Sequence, residues 1–133
     1  AFDVIHPGYI RMFKDAKNHC NHLTVALHED PSMARPHKLK PVHTVEERKE
    51  ILRAIKYIDD IVVYQAEDTF LHYLKDYEVR FLGTDYMDGS YTGKDIAIDI
   101  VWLIRDHDYS STLLKTKIHE QVQDAMRMEV HYD

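Results

Sequence analysis

Short apolar runs rich in branched residues alternate with segments of helical periodicity along this chain, and this alternation restricts its possible folds more than any other feature. The four runs occupy residues 23–27, 61–64, 79–83 and 98–104. Strands that alternate with helices are joined by right-handed crossovers and therefore pair in parallel. We predict an α/β fold of three layers, doubly wound around a mainly parallel sheet.

Helices are predicted between and after these runs. Residues 7–18 have one apolar stripe with helical spacing. Thr44 and Glu47 form a capping box, which predicts a helix within residues 43–59. The apolar face of that helix is predicted to consist of Ile51, Leu52, Ile55 and Ile58. Two further helices are predicted, over residues 68–77 and 109–126.

The first residues of the chain, AFDVI, look like the end of a strand. The turn His6-Pro7-Gly8 follows them and leads into the predicted helix over residues 7–18. A strand that ends in such a turn belongs inside a sheet. We therefore expect the first strand of the sheet to lie ahead of Ala1 and to have been trimmed from the sequence.

Charge and composition restrict the partners and the compartment. The formal net charge of −6 argues against nucleic acids and anionic membranes as partners. Cys20 is the single cysteine, so no disulfide can form within the chain. No apolar run approaches the length of a membrane span, and the sequence shows no basic, apolar leader. We expect a cytoplasmic protein.

Unusual residues collect at one edge of the predicted sheet. In parallel α/β sheets, ligands bind at the carboxyl ends of the strands. That edge corresponds to residues 1–9, the loop after residue 27, the loop after Gly83, and residues 105–112. The loop of residues 28–43 contains three prolines and no periodicity, and loops of this length are usually functional or mobile.

Two places at this edge suit an anion. His6 and Gly8 precede a helix whose free N–H groups and positive dipole end would face a phosphate, although a plain turn into a helix is the alternative. Arg105 ends a strand shortly before a second helix start. Hydroxyl groups follow it there, at Ser110, Ser111 and Thr112. Such a run alone is usually only a helix cap, but the arginine favours a second anion site.

Four further residues are candidates for ligand contacts. Lys38 and Lys40 can close over a triphosphate, although lysines in such a loop are usually just solvated. Arg48 is a candidate for binding substrate, the alternative being an exposed pair with a neighbouring glutamate. Asp85 can accept a hydrogen bond from a base or ribose, and otherwise is a turn residue.

Two stretches resemble metal sites only superficially. His19, Cys20 and His22 lie together at a predicted helix end, but no second cluster has a matching spacing. The loop TDYMDGSYTGKD fails as a calcium loop, because aligning its glycine puts Thr84 and Tyr86 at ligand positions. We predict no metal site built from the protein alone.

Four motifs, in order and covering nearly the whole chain, resemble those of the HxGH nucleotidyltransferases, and in particular the glycerol-3-phosphate cytidylyltransferase-like branch. AFDVIHPGY is similar to the G-x-F-D-x-x-H-x-G-H motif, and HTVEERKEILRAIKYIDDI to the central helix, with Arg48 at the family's arginine. LGTDY resembles the G-D-D-W-type segment, and RDHDYSST the R-T-x-G-I-S-T-T motif. The resemblance implies a single nucleotidyltransferase domain over residues 1–133 with a Rossmann-like fold.

The activity implied by the resemblance is attack of a small phosphorylated molecule on the α-phosphorus of CTP, with release of pyrophosphate. The catalytic residues would be His6, Lys38, Lys40 and Arg105. The nucleotide contacts would be Ala1, Phe2, His6, Gly8, Tyr9, Asp85, Arg105, Tyr109, Ser110, Ser111 and Thr112. The substrate contacts would be Asp3, Lys38 and Arg48. The resemblance further implies Mg²⁺ arriving with the nucleotide, and a homodimer.

The departures from the family motifs keep alternatives open. Tyr9 replaces the second histidine of the first motif, and losing a charge-assisted contact there costs on the order of 1–3 kcal/mol of transition-state binding. Asp108 places a carboxylate beside an anion site. The segment SSTLLK resembles the form found in adenylyltransferases, except that Lys115 replaces their arginine. The motif therefore leaves the donor open between CTP and ATP. A degenerate module that binds nucleotide without turnover, and a purely structural α/β domain, are the remaining alternatives.

Overall fold

The structure is a computed structural model that describes the backbone of residues 2–132 and the side chains of residues 2–128. Within that range the chain forms four α-helices and four strands, with short 3₁₀ turns at Pro31–Met33 and Thr84–Tyr86. In chain order the elements are α1 (Pro7–Asn18), β1 (Thr24–His28), α2 (Val45–Arg53), β2 (Asp60–Tyr64), α3 (Glu67–Leu74), β3 (Val79–Gly83), β4 (Asp99–Leu103) and α4 (Ser111–Tyr132).

The predicted order of elements is confirmed, and the largest difference lies in α2. Thr44 accepts from the N–H of Glu47 and Glu47 from that of Thr44, so the predicted capping box is present. The helix nevertheless ends at Arg53, and its predicted continuation to residue 59 is wrong. Beyond Arg53 the backbone forms hydrogen bonds of the 3₁₀ type, between residues three positions apart. For example, the N–H of Ile55 donates to the carbonyl of Leu52 at 3.1 Å.

All four strands pair in parallel, as predicted for an α/β fold. β1 pairs with β2, with Thr24 opposite Asp60. β3 pairs with β4, with Val79 opposite Asp99. Among the described residues, however, these are two separate hydrogen-bonded pairs instead of the one sheet that was predicted.

An elongated gap separates the two pairs. A cavity of about 680 Å³ lies between the unpaired edges of β1 and β3, and Phe2, Phe13 and Leu103 also line it. A further parallel strand in this gap would join the two pairs into one sheet. The strand expected ahead of Ala1 would be such a strand, and it stays a prediction. Residues 2–6 themselves are a loop and not the end of a strand.

A conformational feature explains why this loop is not a strand. Phe2 and Val4 have φ angles of 52° and 53°, in the left-handed region that strands exclude. The carbonyls of Asp3 and Val4 accept hydrogen bonds from the Ser111 hydroxyl at the start of α4. The polar backbone of the loop is therefore satisfied by a helix start and not by a neighbouring strand.

The hydrophobic core lies where α1 and α2 meet β1 and β4. Leu27 and Leu52 are fully buried in it, and burial of each such side chain stabilises the fold by about 1.5–3 kcal/mol. Ile51 was predicted on the same face of α2 as Leu52, but it is 36% exposed. No helix in the described part of the chain is both long and apolar enough to cross a membrane.

Candidate functional site

The amino termini of α1 and α4 meet beside the loop of residues 2–6. The Ser111 hydroxyl donates to the carbonyl of Asp3, so the Tyr9 hydroxyl is the donor in the 3.3 Å contact between Tyr9 Oη and Ser111 Oγ. Ser110 caps α4, since its Oγ accepts from the N–H of Leu113 at 3.0 Å. Each helix start carries partial positive charge, so this meeting point attracts anions.

His6 lies at the centre of this region. It occupies the N-cap position of α1, but its side chain makes no capping hydrogen bond. The residue is 6% exposed, and its ring stacks on Tyr9 with 4.1 Å between ring centroids. Nδ1 is buried and has no hydrogen-bond partner among the described residues. Burial of a polar atom without a hydrogen-bond partner costs free energy, unless a bound ligand supplies the partner.

The charge state of His6 reflects its surroundings. Burial lowers the pKa of its imidazole, and the positive charge of Arg105 lowers it further. A bound anion would reverse the second effect, because it would offset that charge. The electrostatics of His6 therefore suit a negatively charged ligand.

Gly8 matters here for space and not for backbone conformation. A Cβ at this position would lie 2.9 Å from Cε1 of His6 and 2.8 Å from Nε2 of His107. His107 was not assigned a role from the sequence, although it lies two residues after Arg105 at the same strand end. That position is the signal that can identify it, because residues just after a strand face the ligand edge.

Arg105 and Asp85 were predicted to make separate contacts, and the structure brings them together. Arg105 Nη1 lies 3.1 Å from Asp85 Oδ2, and Nη2 donates to the carbonyl of Tyr109 at 3.0 Å. The arginine side chain is 41% exposed. The Tyr109 ring faces that of His6 at 5.9 Å between centroids, so Arg105 borders the His6 region.

Asp3 is 3% exposed, and its carboxylate is fully engaged by the protein. It accepts from the N–H groups of Val42 and His43 at 2.7 and 3.0 Å, and forms an ion pair with Lys115 at 2.6 Å. Burial raises the pKa of the Asp3 carboxyl, but these hydrogen bonds outweigh it and hold the pKa below its usual value. Asp3 thus ties the long loop and α4 to the start of the chain, and its contact with substrate stays a prediction.

Arg48 is 2% exposed, so the alternative of an exposed pair with a glutamate is wrong. Its guanidinium donates to the carbonyls of His28 at 2.8 Å and His43 at 3.2 Å, and to that of Glu29. These bonds hold both ends of the long loop against α2. A contact of Arg48 with substrate stays a prediction.

The remaining predicted site residues lie in three different settings. Lys38 and Lys40 are exposed on the long loop, and their place over the phosphates stays a prediction. Phe2 packs its ring against Tyr9 and Phe13, at 5.3 and 5.5 Å between centroids. Thr112 lies in the first turn of α4, where its carbonyl accepts from Thr116 Oγ1 at 2.9 Å. Ala1 lies outside the described residues.

The family of the chain follows from comparison with known proteins. Residues 1–129 match the family model described as cytidylyltransferase-like. The chain belongs to this family. The resemblance inferred from its four motifs is therefore confirmed at the level of the family.

Two relatives with different names match most of this chain. The chain is 30% identical over 126 residues to the bifunctional protein HldE of Hyphomonas neptunium, a match covering 88% of this chain and 26% of that protein. It is 34% identical over 118 residues to the FAD synthase of Pyrococcus abyssi, covering 89% of this chain and 67% of that enzyme. The chain therefore spans about a quarter of the length of the HldE relative.

A solved structure supports the fold. The crystal structure of the lipopolysaccharide core biosynthesis protein from Thermoplasma volcanium superposes with a TM-score of 0.61 and 20% identity. The match covers 83% of this chain and 93% of that one. The predicted Rossmann-like nucleotidyltransferase fold is thereby confirmed.

Proposed function

We propose that this chain transfers a nucleotidyl group from a nucleoside triphosphate to a small phosphorylated acceptor. An oxygen of the acceptor phosphate attacks the α-phosphorus of the nucleotide and forms a new P–O bond. The bond from that phosphorus to the oxygen bridging to the β-phosphate breaks, and pyrophosphate leaves with the bonding electron pair. The donor we propose is CTP, and the acceptor is a polyol or alcohol phosphate such as glycerol 3-phosphate.

The observation that carries this proposal is the meeting of two helix amino termini beside a buried histidine. Tyr9 and Ser111 join the starts of α1 and α4, and the neighbouring His6 has an Nδ1 atom without a hydrogen-bond partner among the described residues. A triphosphate is the kind of ligand that uses several N–H donors and positive dipole ends at once. Catalysis of phosphoryl chemistry depends mainly on such positioning and charge neutralisation.

The roles we propose follow from where each group lies. His6 stabilises charge on the transferring phosphoryl group, and the start of α4 holds the leaving β- and γ-phosphates. Arg105, half-exposed beside Tyr109, neutralises the same phosphates and positions Asp85 toward the base. Lys38 and Lys40 close over the triphosphate from the long loop.

Mg²⁺ fits this scheme as an ion that the nucleotide carries. Among the described side chains, no three His, Cys, Asp or Glu residues lie close enough together to hold a metal ion. Mg²⁺ commonly keeps several waters and binds through substrate phosphates. When bound, it would neutralise charge on the phosphates, and the protein would contribute its helix starts and Arg105.

ATP is the second candidate donor, and a specific observation favours it. One relative matched over most of this chain is named FAD synthase, so by its name it makes a product that contains adenine. Lys115 was the sequence feature that left the donor open, but its ammonium group is bound to Asp3. That ion pair holds the fold and gives no preference between the two bases.

The test is pyrophosphate release by the full-length protein, supplied with Mg²⁺, CTP or ATP and a panel of sugar and polyol phosphates that includes glycerol 3-phosphate. Release with CTP and one acceptor supports the proposal, and release with ATP alone assigns the other donor. Nucleotide binding without release across the panel overturns nucleotidyl transfer in favour of a binding module. Sedimentation velocity tests the homodimer that the family resemblance implies.

A further inference from the structure

The Tyr9 side chain makes contacts within the protein that stabilise the fold. Its ring stacks on His6, and its hydroxyl donates to Ser111 Oγ, which in turn donates to the carbonyl of Asp3. Moving that hydroxyl onto a ligand would break the link between the starts of α1 and α4. The place of the motif's second histidine is therefore taken by a residue with a structural task.

His107 lies close to that place, although it comes from a different part of the chain. It belongs to the segment between β4 and α4, and its ring faces that of His6 at 6.4 Å between centroids, with 65° between the ring planes. Its Nε2 lies 2.8 Å from where a Cβ on Gly8 would be. The absence of a side chain on Gly8 therefore lets the His107 ring pack directly against the start of α1.

The backbone fixes which nitrogen of His107 carries a proton. The N–H of Tyr109 donates to Nδ1 of His107 at 3.1 Å, so Nδ1 must be an acceptor. A neutral imidazole that accepts at Nδ1 carries its hydrogen on Nε2. Nε2 thus presents a donor beside the start of α1 without any need for the ring to become charged.

His6 lies at the same helix start. Its Nδ1 is buried without a partner among the described residues, and burial lowers the pKa of its imidazole. Two imidazoles beside one helix start, one of them with an unsatisfied nitrogen, suit a ligand with several acceptor oxygens. A phosphate group has that chemistry.

We propose that His107 is a phosphate-binding catalytic residue, donating from Nε2 to a nucleotide phosphate bound at the start of α1 beside His6. The inference rests on the proposed function, and it assigns to the β4–α4 segment the contact that Tyr9 does not make. Because His107 touches the phosphates, removal of its donor lowers kcat/KM by about tenfold to a hundredfold.

Two substitutions separate this role from a structural one. His107→Asn keeps an acceptor for the N–H of Tyr109 near the position of Nδ1, but loses the donor at Nε2. His107→Gln keeps a donor near the position of Nε2, but loses the acceptor at Nδ1. The exposed His119→Ala, on the outer part of α4, is the matched control.

The readouts are kcat/KM for pyrophosphate release and the affinity for inorganic pyrophosphate, measured by calorimetry. We expect His107→Asn to lose about tenfold or more in both, His107→Gln to retain more than His107→Asn, and His119→Ala to behave as the native protein. The reverse order, with Gln weaker than Asn, would assign His107 to holding the loop and overturn the proposal. Native behaviour of both His107 variants would overturn it as well.

Equal weakening of both variants is resolved by a spectroscopic measurement on the native protein. The ¹⁵N resonance of His107 Nε2 is followed during titration with inorganic pyrophosphate. A shift that saturates with binding supports the contact, and an unchanged resonance overturns it. Since binding of pyrophosphate needs no turnover, the contact can be tested even if no donor and acceptor pair gives product, which is the result that overturns nucleotidyl transfer.

Discussion

Arg48 and Arg105 were both predicted to contact ligands, yet the structure places them in opposite settings. Arg48 is 2% exposed and donates to the backbone carbonyls of His28, Glu29 and His43. The side chain of Arg105 is 41% exposed and lies beside Asp85, at the edge where α4 begins. The region around Arg48 is therefore organised before any ligand arrives, whereas the region around Arg105 is open to one.

This difference shows how one side-chain type serves two purposes. A buried guanidinium that donates to backbone carbonyls stabilises a loop, because it supplies hydrogen bonds that those carbonyls need. An exposed guanidinium gains little from its ion pair, since such pairs contribute about 0–1 kcal/mol. The main role of such an exposed guanidinium is then to bind a ligand. Substitutions in the two regions should accordingly change different measured quantities.

Arg48→Ala should have the largest effect, and on stability. The change removes the donors to three backbone carbonyls and leaves a cavity at a buried position, and we expect the free energy of unfolding to fall by about 3–5 kcal/mol. Urea unfolding followed by circular dichroism measures this loss. Arg48→Lys, which keeps one charged donor, should lose less. A stable Arg48→Ala protein that has lost only acceptor binding would place Arg48 with the ligand contacts and remove the contrast.

His6→Ala should lower turnover by about a hundredfold or more, the scale of losing a transition-state donor, while the fold stays intact. His6 sharpens the comparison because it is buried like Arg48 and yet Nδ1 has no hydrogen-bond partner in the described part of the chain. Pyrophosphate release gives the rate, and the circular dichroism spectrum serves as the check on folding. Native rates in this variant would remove His6 from the mechanism.

Arg105→Ala should weaken nucleotide binding by about tenfold, since one hydrogen bond to a charged group contributes about 1.5–3 kcal/mol. Its free energy of unfolding should change by about 1 kcal/mol or less, because the lost ion pair with Asp85 is exposed. Calorimetry with CTP and with ATP measures the first quantity, and urea unfolding the second. An unchanged nucleotide affinity would contradict the role assigned to Arg105.

Lys38→Ala and Lys40→Ala should have the smallest effects. Both side chains are exposed, so stability should change by about 0.5 kcal/mol or less. We expect turnover to fall by about twofold to tenfold for each, because a mobile lysine must lose side-chain entropy when it closes over phosphates. Lys14→Ala, an exposed lysine on α1, is the control. Rates equal to those of the control would leave the long loop without a part in catalysis.

The local pattern of the sequence was sufficient for the order of the helices and strands. Branched apolar runs predicted the four parallel strands, and the Thr44 and Glu47 pair predicted the start of α2. These features depend on residues a few positions apart. Helical and extended periodicity, capping and turn formation all operate over that range, so a single sequence displays them directly.

The same pattern failed where a distant contact decides the outcome. Ile51 and Leu52 are equally apolar, but only the packing of α2 against the strands shows that Leu52 is buried. The end of α2 at Arg53 was missed for the same reason, since apolar spacing continues beyond it. Periodicity identifies a face, and tertiary packing then decides how much of that face is covered.

By itself the sequence determined the order of strands and helices and the family to which the chain belongs. Only the tertiary structure decided that Arg48 is buried, that Asp3 is bound by His43 and Lys115, and that His107 lies against Gly8. The contacts of Asp3 and His107 join residues about 40 to 110 positions apart in the chain. Their geometry depends on how whole elements pack, and no local spacing in the sequence encodes that packing.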